Sequence, residues 1–269
     1  ISADMEGVAG IVHVEHTSRE GKEHERARKL MTYEVNTAIE GALEAGATVV
    51  LVNDSHGTMR NIIPEELHEA AELITGTPKP LSMMQGIDPS FNAAFFLGYH
   101  ARKGAYTGVL GHTYHGGVVS DVLINGQPMG ETGINAAVAG YFKVPVALVT
   151  GDRVVTDEAL SLLGKVETVI VKEGVGIFAA RCLSPPKARK LIKEGAMRAL
   201  KRLDEFKPFR IEPPIKIDLV FIHTGMTEMA ELVPGTKRVD GRTVSFFSDD
   251  YLQAFKALRA MITLAGTTL

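Results

Sequence analysis

The strongest constraint on the fold is a set of apolar runs that do not alternate. "TVVLVN" (48–53), "NAAFFLGYH" (92–100), "YTGVLGHTY" (106–114) and "VPVALVTGD" (144–152) each read as a strand. A strand with one face in water alternates polar and apolar residues, whereas one covered on both faces does not. Segments of helical period lie between them: "TYEVNTAIEGALEA" over Thr32–Ala45, stopped by Gly46, and "INAAVAGYF" over 134–142. This order predicts an α/β fold with a mostly parallel sheet and helices on both faces. The Asn-Gly pair in "DVLINGQPMGE" predicts a hairpin.

After about residue 165 the texture shifts. "VETVIVK" and "IFAARCL" are strand-like, and "SPPKARKLIKEGAMRALKRL" predicts a helix with Ser184 as cap and Pro185 in the first turn. "IKIDLVFIH", "RTVSFFS" and a final helix from Asp249 complete an α+β half, reached through the Pro- and charge-rich "DEFKPFRIEPPIK". The expected organisation is an α/β metal-binding catalytic domain at 1–163. A smaller α+β subdomain at 164–269 would contribute to the pocket and to oligomer contacts.

Composition removes several function classes. A formal net charge of −3, with no basic stripe interleaved with aromatics, argues against nucleic acid. No apolar run approaches the roughly 18 residues of a membrane span. Cys182 is the only cysteine, so there is no internal disulfide and no thiolate metal cage. A reducing, cytoplasmic setting is the expectation. Any metal must be held by histidine and carboxylate.

Such side chains cluster at the polar tips. In open parallel sheets ligands bind beyond the carboxyl ends of the strands. The first strand, inside "ISADMEGVAG", delivers Asp4 and Glu6, whose i, i+2 spacing puts both on one face of a strand. "TVVLVN" delivers His56, "NAAFFLGYH" delivers His100, and "GVLGHTYHG" delivers His112 and His115. "MGETGIN" places Glu131 at a helix start. Adjacent buried carboxylates repel unless something positive sits between them. Three carboxylates with two or three histidines suit a pair of divalent ions sharing one carboxylate. Zinc fits this donor set, as do Mn²⁺, Co²⁺ and Fe²⁺. His115 reads as a loop residue and Asp54 as a turn or capping residue.

"SADMEG" (2–7), "VNDSHG" (52–57), "LGYHA" (97–101), "GVLGHT" (108–113) and "GETGINA" (130–136), in this order, resemble the DppA-type D-aminopeptidases. These are binuclear zinc peptidases, also described as dipeptide-transport proteins. The resemblance continues through "VAGYFKVPVALVTGD" and "RCLSPPKA" to "LVPGT" and covers nearly the whole chain. It implies two Zn²⁺ per subunit, bridged by Asp4. Glu6 and His100 would complete one site, and His56 and Glu131 the other. His112 would match the catalytic histidine, as nucleophile, general base or oxyanion stabiliser. The implied activity releases N-terminal D-amino acids from short peptides, in a homo-oligomer built as a ring-derived decamer. Alternatives are a related dimetal amidase or L-peptidase on the same scaffold, and a peptide-binding protein without chemistry.

Other signals carry less. "GVGIFA" (174–179) fits a relaxed dinucleotide fingerprint but lacks a following helix, so no nucleotide cofactor is expected. His13 and His16 read as a polar surface loop able to line the pocket. The basic helix residues Lys187, Arg189, Lys190, Lys193, Arg198, Lys201 and Arg202 read as a solvated or subunit-contact face. Cys182 reads as a packed core thiol. His223, Glu228 and Glu231 read either as pocket residues or as structural ones.

Overall fold

The chain starts in the middle of its larger sheet. In the computed structural model, which describes residues 1–269, β1 (Ser2–Ala3) leads to a one-turn helix α1 (Val14–Thr17), a long helix α2 (His24–Glu44) and β2 (Val50–Asp54). Helix α2 begins eight residues before the periodic segment read from Thr32, because His24, Ala27 and Met31 continue the buried stripe of Val35, Ala38 and Ala42. After β3 (Ala71–Ile74) the chain crosses to β4 (Ala94–Tyr99).

A hairpin follows, β5 (Val119–Ile124) and β6 (Gln127–Pro128). Its turn residues Asn125 and Gly126 take φ of 50° and 79°, the paired left-handed geometry that Asn-Gly favours. Next come α3 (Glu131–Tyr141), β7 (Val146–Asp152), α4 (Arg153–Leu163), β8 (Glu167–Gly176), β9 (Ala179–Cys182) and α5 (Pro185–Lys201). Ser184 is the N-cap residue of α5 and Pro185 opens it, although the serine side chain makes no capping bond. The remainder is β10 (Ile215–Phe221), α6 (Thr224–Ala230), β11 (Thr236–Arg238), β12 (Thr243–Ser248) and α7 (Tyr251–Ala265).

The first sheet has the order β3-β2-β1-β4-β7-β8-β9, parallel except for the final β8/β9 pair. The second is antiparallel, β11-β12-β10-β5-β6. A boundary at residue 163 does not separate them: β8 and β9 finish the first sheet, and β5 and β6 pair into the second. Two cores result. One lies between the first sheet and helices α2 and α5, the other between its opposite face, α3, α7 and the second sheet. The 204–216 stretch joins them, with Phe206 buried in the first core and Phe209 and Ile211 packed on the second.

One expected strand is absent. Residues 106–114 form turns, with Thr107, Leu110 and Tyr114 at φ of 60°, 55° and 58°. Three left-handed residues break an extended ladder, and the buried Val109 gives its N–H to the Asp152 side chain at 2.8 Å. The apolar residues there anchor a loop. "GVGIFA" forms the β8/β9 hairpin instead of a strand-to-helix turn.

Candidate metal centre

Chain order sends β2 and β3 to one side of β1 and β4 to the other, so the carboxyl ends of β1 and β4 border a topological switch point. Asp4 and Glu6 lie just beyond the end of β1, His100 just beyond that of β4, and His56 just beyond that of the neighbouring β2. Asp4 and Glu6 do not share a strand face, since β1 stops at Ala3 and both occupy the turn after it. Their convergence comes from backbone contact. Asp4 donates its N–H to Leu97 O at 2.8 Å and Gly7 donates to Gly98 O at 2.7 Å. A Cβ on Gly7 would collide with the Tyr99 carbonyl, and one on Gly98, at φ +66°, with that of Asp4. Glycine at both positions lets the turn press against the end of β4.

Lys172, fully buried on β8, holds the same turn from behind. Its ammonium donates to the carbonyls of Glu6, Val8 (3.1 Å) and Ile11 (2.6 Å), which uses all three of its protons. Burial lowers its pKa to about 8. The buried Glu34 of α2 accepts the Ala9 N–H at 3.0 Å, and burial pushes its carboxyl up to about 7. Neither residue stands out in the sequence, because their partners are 25 and 161–166 positions away.

The three histidines are oriented alike. His56 Nε2 donates to Thr17 O at 2.8 Å, His100 Nδ1 to Ala101 O at 3.0 Å and His112 Nδ1 to Leu110 O at 2.9 Å. A carbonyl only accepts, so each contact fixes the tautomer and leaves the other ring nitrogen with a lone pair when neutral. Those nitrogens face carboxylates. His56 Nδ1 is 3.3 Å from Asp4 Oδ1 and 2.9 Å from Glu6 Oε2. His100 Nε2 is 3.5 Å from both Asp4 Oδ2 and Glu131 Oε1, and His112 Nε2 is 3.9 Å from Glu131 Oε1. The two oxygens of Asp4 therefore face two different histidines. Glu131, the first residue of α3, also accepts the Tyr114 N–H at 2.6 Å.

The residues fit a cation. Asp4 Oδ2, Glu6 Oε2 and His100 Nε2 are buried without a hydrogen-bond partner, each a cost of about 1–3 kcal/mol. His56 lies close to Glu6 Oε2 but out of line for a hydrogen bond. Ligand atoms of Asp4, Glu6 and His100 all lie within 4.8 Å of one another, as do those of His100, His112 and Glu131. His56 and Glu131 do not share such a group; they sit at opposite ends, against Glu6 and His100 respectively.

The members of the cluster set one another's proton affinity. Burial opposes charge on every member. Against it, the Glu6 charge and the nearby Asp4 carboxylate hold His56 well above its usual value, and the Glu131 charge does the same for His100. Burial and then the Glu6 charge push Asp4 up to about 7. Glu6 and Glu131 stay low despite burial because His56 and His100 face them. His112 is lowered by burial and then by the charge of His100, whose ring it stacks on at 4.2 Å. Its side chain is 25 % exposed while those of Asp4, Glu6, His56, His100 and Glu131 are at most 10 % exposed, so His112 is the member open to solvent.

Other singled-out residues fall elsewhere. Helix α1 lines the cluster through Thr17, while His16 pairs with Glu23 at 3.1 Å. His115 is a loop residue bonded to Gly117 N, and Asp54 caps the 61–62 backbone. His223 precedes α6 and Glu231 pairs with Arg238 at 3.1 Å. Cys182 is half-buried on the edge strand β9 and not in the core.

The Bacillus subtilis (strain 168) D-aminopeptidase is 42 % identical over 271 residues, spanning 100 % of this chain and 97 % of that protein. The solved structure of the Zn-dependent D-aminopeptidase DppA from Bacillus subtilis, a self-compartmentalizing protease, superposes with a TM-score of 0.96 at 41 % identity, over 98 % of this chain and 96 % of that one. Residues 1–260 match the Peptidase_M55 D-aminopeptidase family, and the chain belongs to it.

Proposed function

We propose that this chain binds two zinc ions between Asp4, Glu6, His56, His100 and Glu131, and with them releases N-terminal D-amino acids from short peptides. The observation that carries the reading is Asp4, whose two carboxylate oxygens face different histidines, as a bridging ligand requires. Glu6 and His100 complete one site, supported by their grouping with Asp4. His56 and Glu131 are assigned to the other by resemblance. Bound zinc supplies Lewis acidity, polarising the scissile carbonyl and lowering the pKa of water.

The protein's own groups do the rest. His112, neutral near pH 7 with its Nδ1–H committed to Leu110 O, presents Nε2 to the open side of the cluster. From there it takes a proton during attack on the carbonyl and returns it to the leaving amine. The self-compartmentalizing relative supports a homo-oligomer, proposed as a ring-built decamer that limits access to short peptides. No helix is long and apolar enough to cross a membrane, and the unpaired Cys182 accords with a cytoplasmic setting.

The test is the initial rate on D-Ala-D-Ala against L-Ala-L-Ala, before and after chelation. Turnover of the D-peptide alone, lost on chelation and restored by zinc, is expected. Turnover of the L-peptide instead overturns the substrate assignment, and undiminished activity in metal-free protein overturns the metal assignment.

Zinc uptake must displace protons from His56, His100 and Asp4, so affinity is expected to fall as pH drops. The steepest loss lies below about pH 7, where Asp4 takes up its proton. Chelator competition between pH 5.5 and 8 measures this, and a pH-independent affinity would contradict it.

A further inference from the structure

Below the metal cluster runs a buried chain of hydrogen bonds that the chemistry above does not use. Tyr114 Oη donates to Asn135 Oδ1 at 2.8 Å, and Asn135 Nδ2 donates to Tyr99 Oη at 3.0 Å. Tyr99 Oη lies 2.7 Å from Ser2 Oγ, which donates to Met83 O at 2.7 Å and lies 2.8 Å from Ser55 Oγ. The proton count fixes its direction. Ser2 has one hydroxyl proton and gives it to a carbonyl, so Tyr99 must donate to Ser2 and accept from Asn135. Tyr99, fully buried, joins the Ser2 and Asn135 ends through its hydroxyl, and Met83 touches both as well, taking the Ser2 proton on its carbonyl and an Asn135 Nδ2–H on its sulfur at 3.2 Å.

Each member stands next to a cluster residue. Ser2 precedes Asp4 by two positions, Ser55 precedes His56 by one, and Tyr99 precedes His100 by one. Asn135 lies one helical turn after Glu131 on α3, and Tyr114 lies two positions after His112. Five separate segments bring the cluster together, and this chain ties all five. Fully satisfied buried networks rigidify what they join, and outer partners of ligands set metal affinity.

We propose that the Tyr99 hydroxyl is a positioning group for the metal centre: by joining Ser2 to Asn135 it holds the segments of Asp4, His56 and His100 in register with those of Glu131 and His112. Tyr99 touches neither metal nor substrate and acts through this register. The proposal rests on the metal assignment made above.

The test compares the full chain with Tyr99→Phe, which keeps the ring and its 4.6 Å stack on Phe96 but removes the hydroxyl. Ser2→Ala, a one-atom deletion at the acceptor, serves as the second variant should Tyr99→Phe fold poorly. Zinc affinity by chelator competition, the visible spectrum of the Co²⁺-substituted protein, and kcat and KM are read for each. Zinc binding about tenfold weaker, an altered Co²⁺ spectrum, and a lower kcat at nearly unchanged KM are expected. Zinc affinity, spectrum and kcat within twofold of the parent, even with a lowered melting temperature, would overturn the proposal and leave Tyr99 a core residue. A parent chain that takes up no zinc overturns the metal assignment and this proposal with it.

Discussion

Asp4→Ala is expected to lower kcat/KM by about 10³-fold or more and to remove most of the bound zinc. Each tenfold in rate is about 1.4 kcal/mol, and loss of metal forfeits several kcal/mol of transition-state stabilisation. Asp4 is singled out because its oxygens face both His56 and His100, so its removal weakens both ion sites at once. A gross folding defect is not expected to mimic the result. In the metal-free chain Asp4 is a buried carboxyl beside Glu6, and burial and that neighbouring charge already disfavour its ionised form. The metal-free variant should therefore melt near the metal-free parent, while zinc content and turnover collapse. Retained zinc with retained activity would remove Asp4 from the bridging position.

His112→Ala is expected to separate chemistry from metal binding. Turnover should fall by about 10²–10⁴-fold, the range for loss of a positioned acid–base group. Zinc content should stay near that of the parent, because His112 is the solvent-open member of the cluster and its nearest carboxylate contact is 3.9 Å. With zinc kept saturating, the share of the acid limb due to His112 should also disappear, since the proton that switches it off is lost with the ring, while the share due to zinc loss remains. His100, His112 and Glu131 do form a compact group of possible ligands. Zinc lost in proportion to activity would therefore move His112 from the reacting side to the ligand set.

The candidate site was legible in the sequence because each ligand has a local signature. Asp4, Glu6, His56 and His100 follow apolar runs and are flanked by glycine, and Glu131 opens a helix after Gly130. Polar tips on non-alternating strands imply a shared edge in a parallel sheet, whatever the details of the loops. What misled was also local. "YTGVLGHTY" has strand composition, yet Val109 and Leu110 find their backbone partners in Asp152 and Ile177, far along the chain. Asp4 and Glu6 have strand spacing but lie past the end of β1.

Local sequence suffices for β1, β2, β4 and β7, for α2 and α3 between them, and for the metal-ligating residue types and their order, while β3 and α4 escape it and 106–114 reads as a strand without forming one. The legible features follow from side-chain periodicity and composition within a few residues, where the physics is local. Long-range contacts put β5 against β10, with β6 at its outer edge, while β8 and β9 extend the first sheet. Such contacts alone placed Lys172 beneath the Glu6 turn and Tyr99 between Ser2 and Asn135. A lysine or tyrosine acquires those roles only when burial leaves it a single set of partners, and burial is set by contacts between segments distant in sequence.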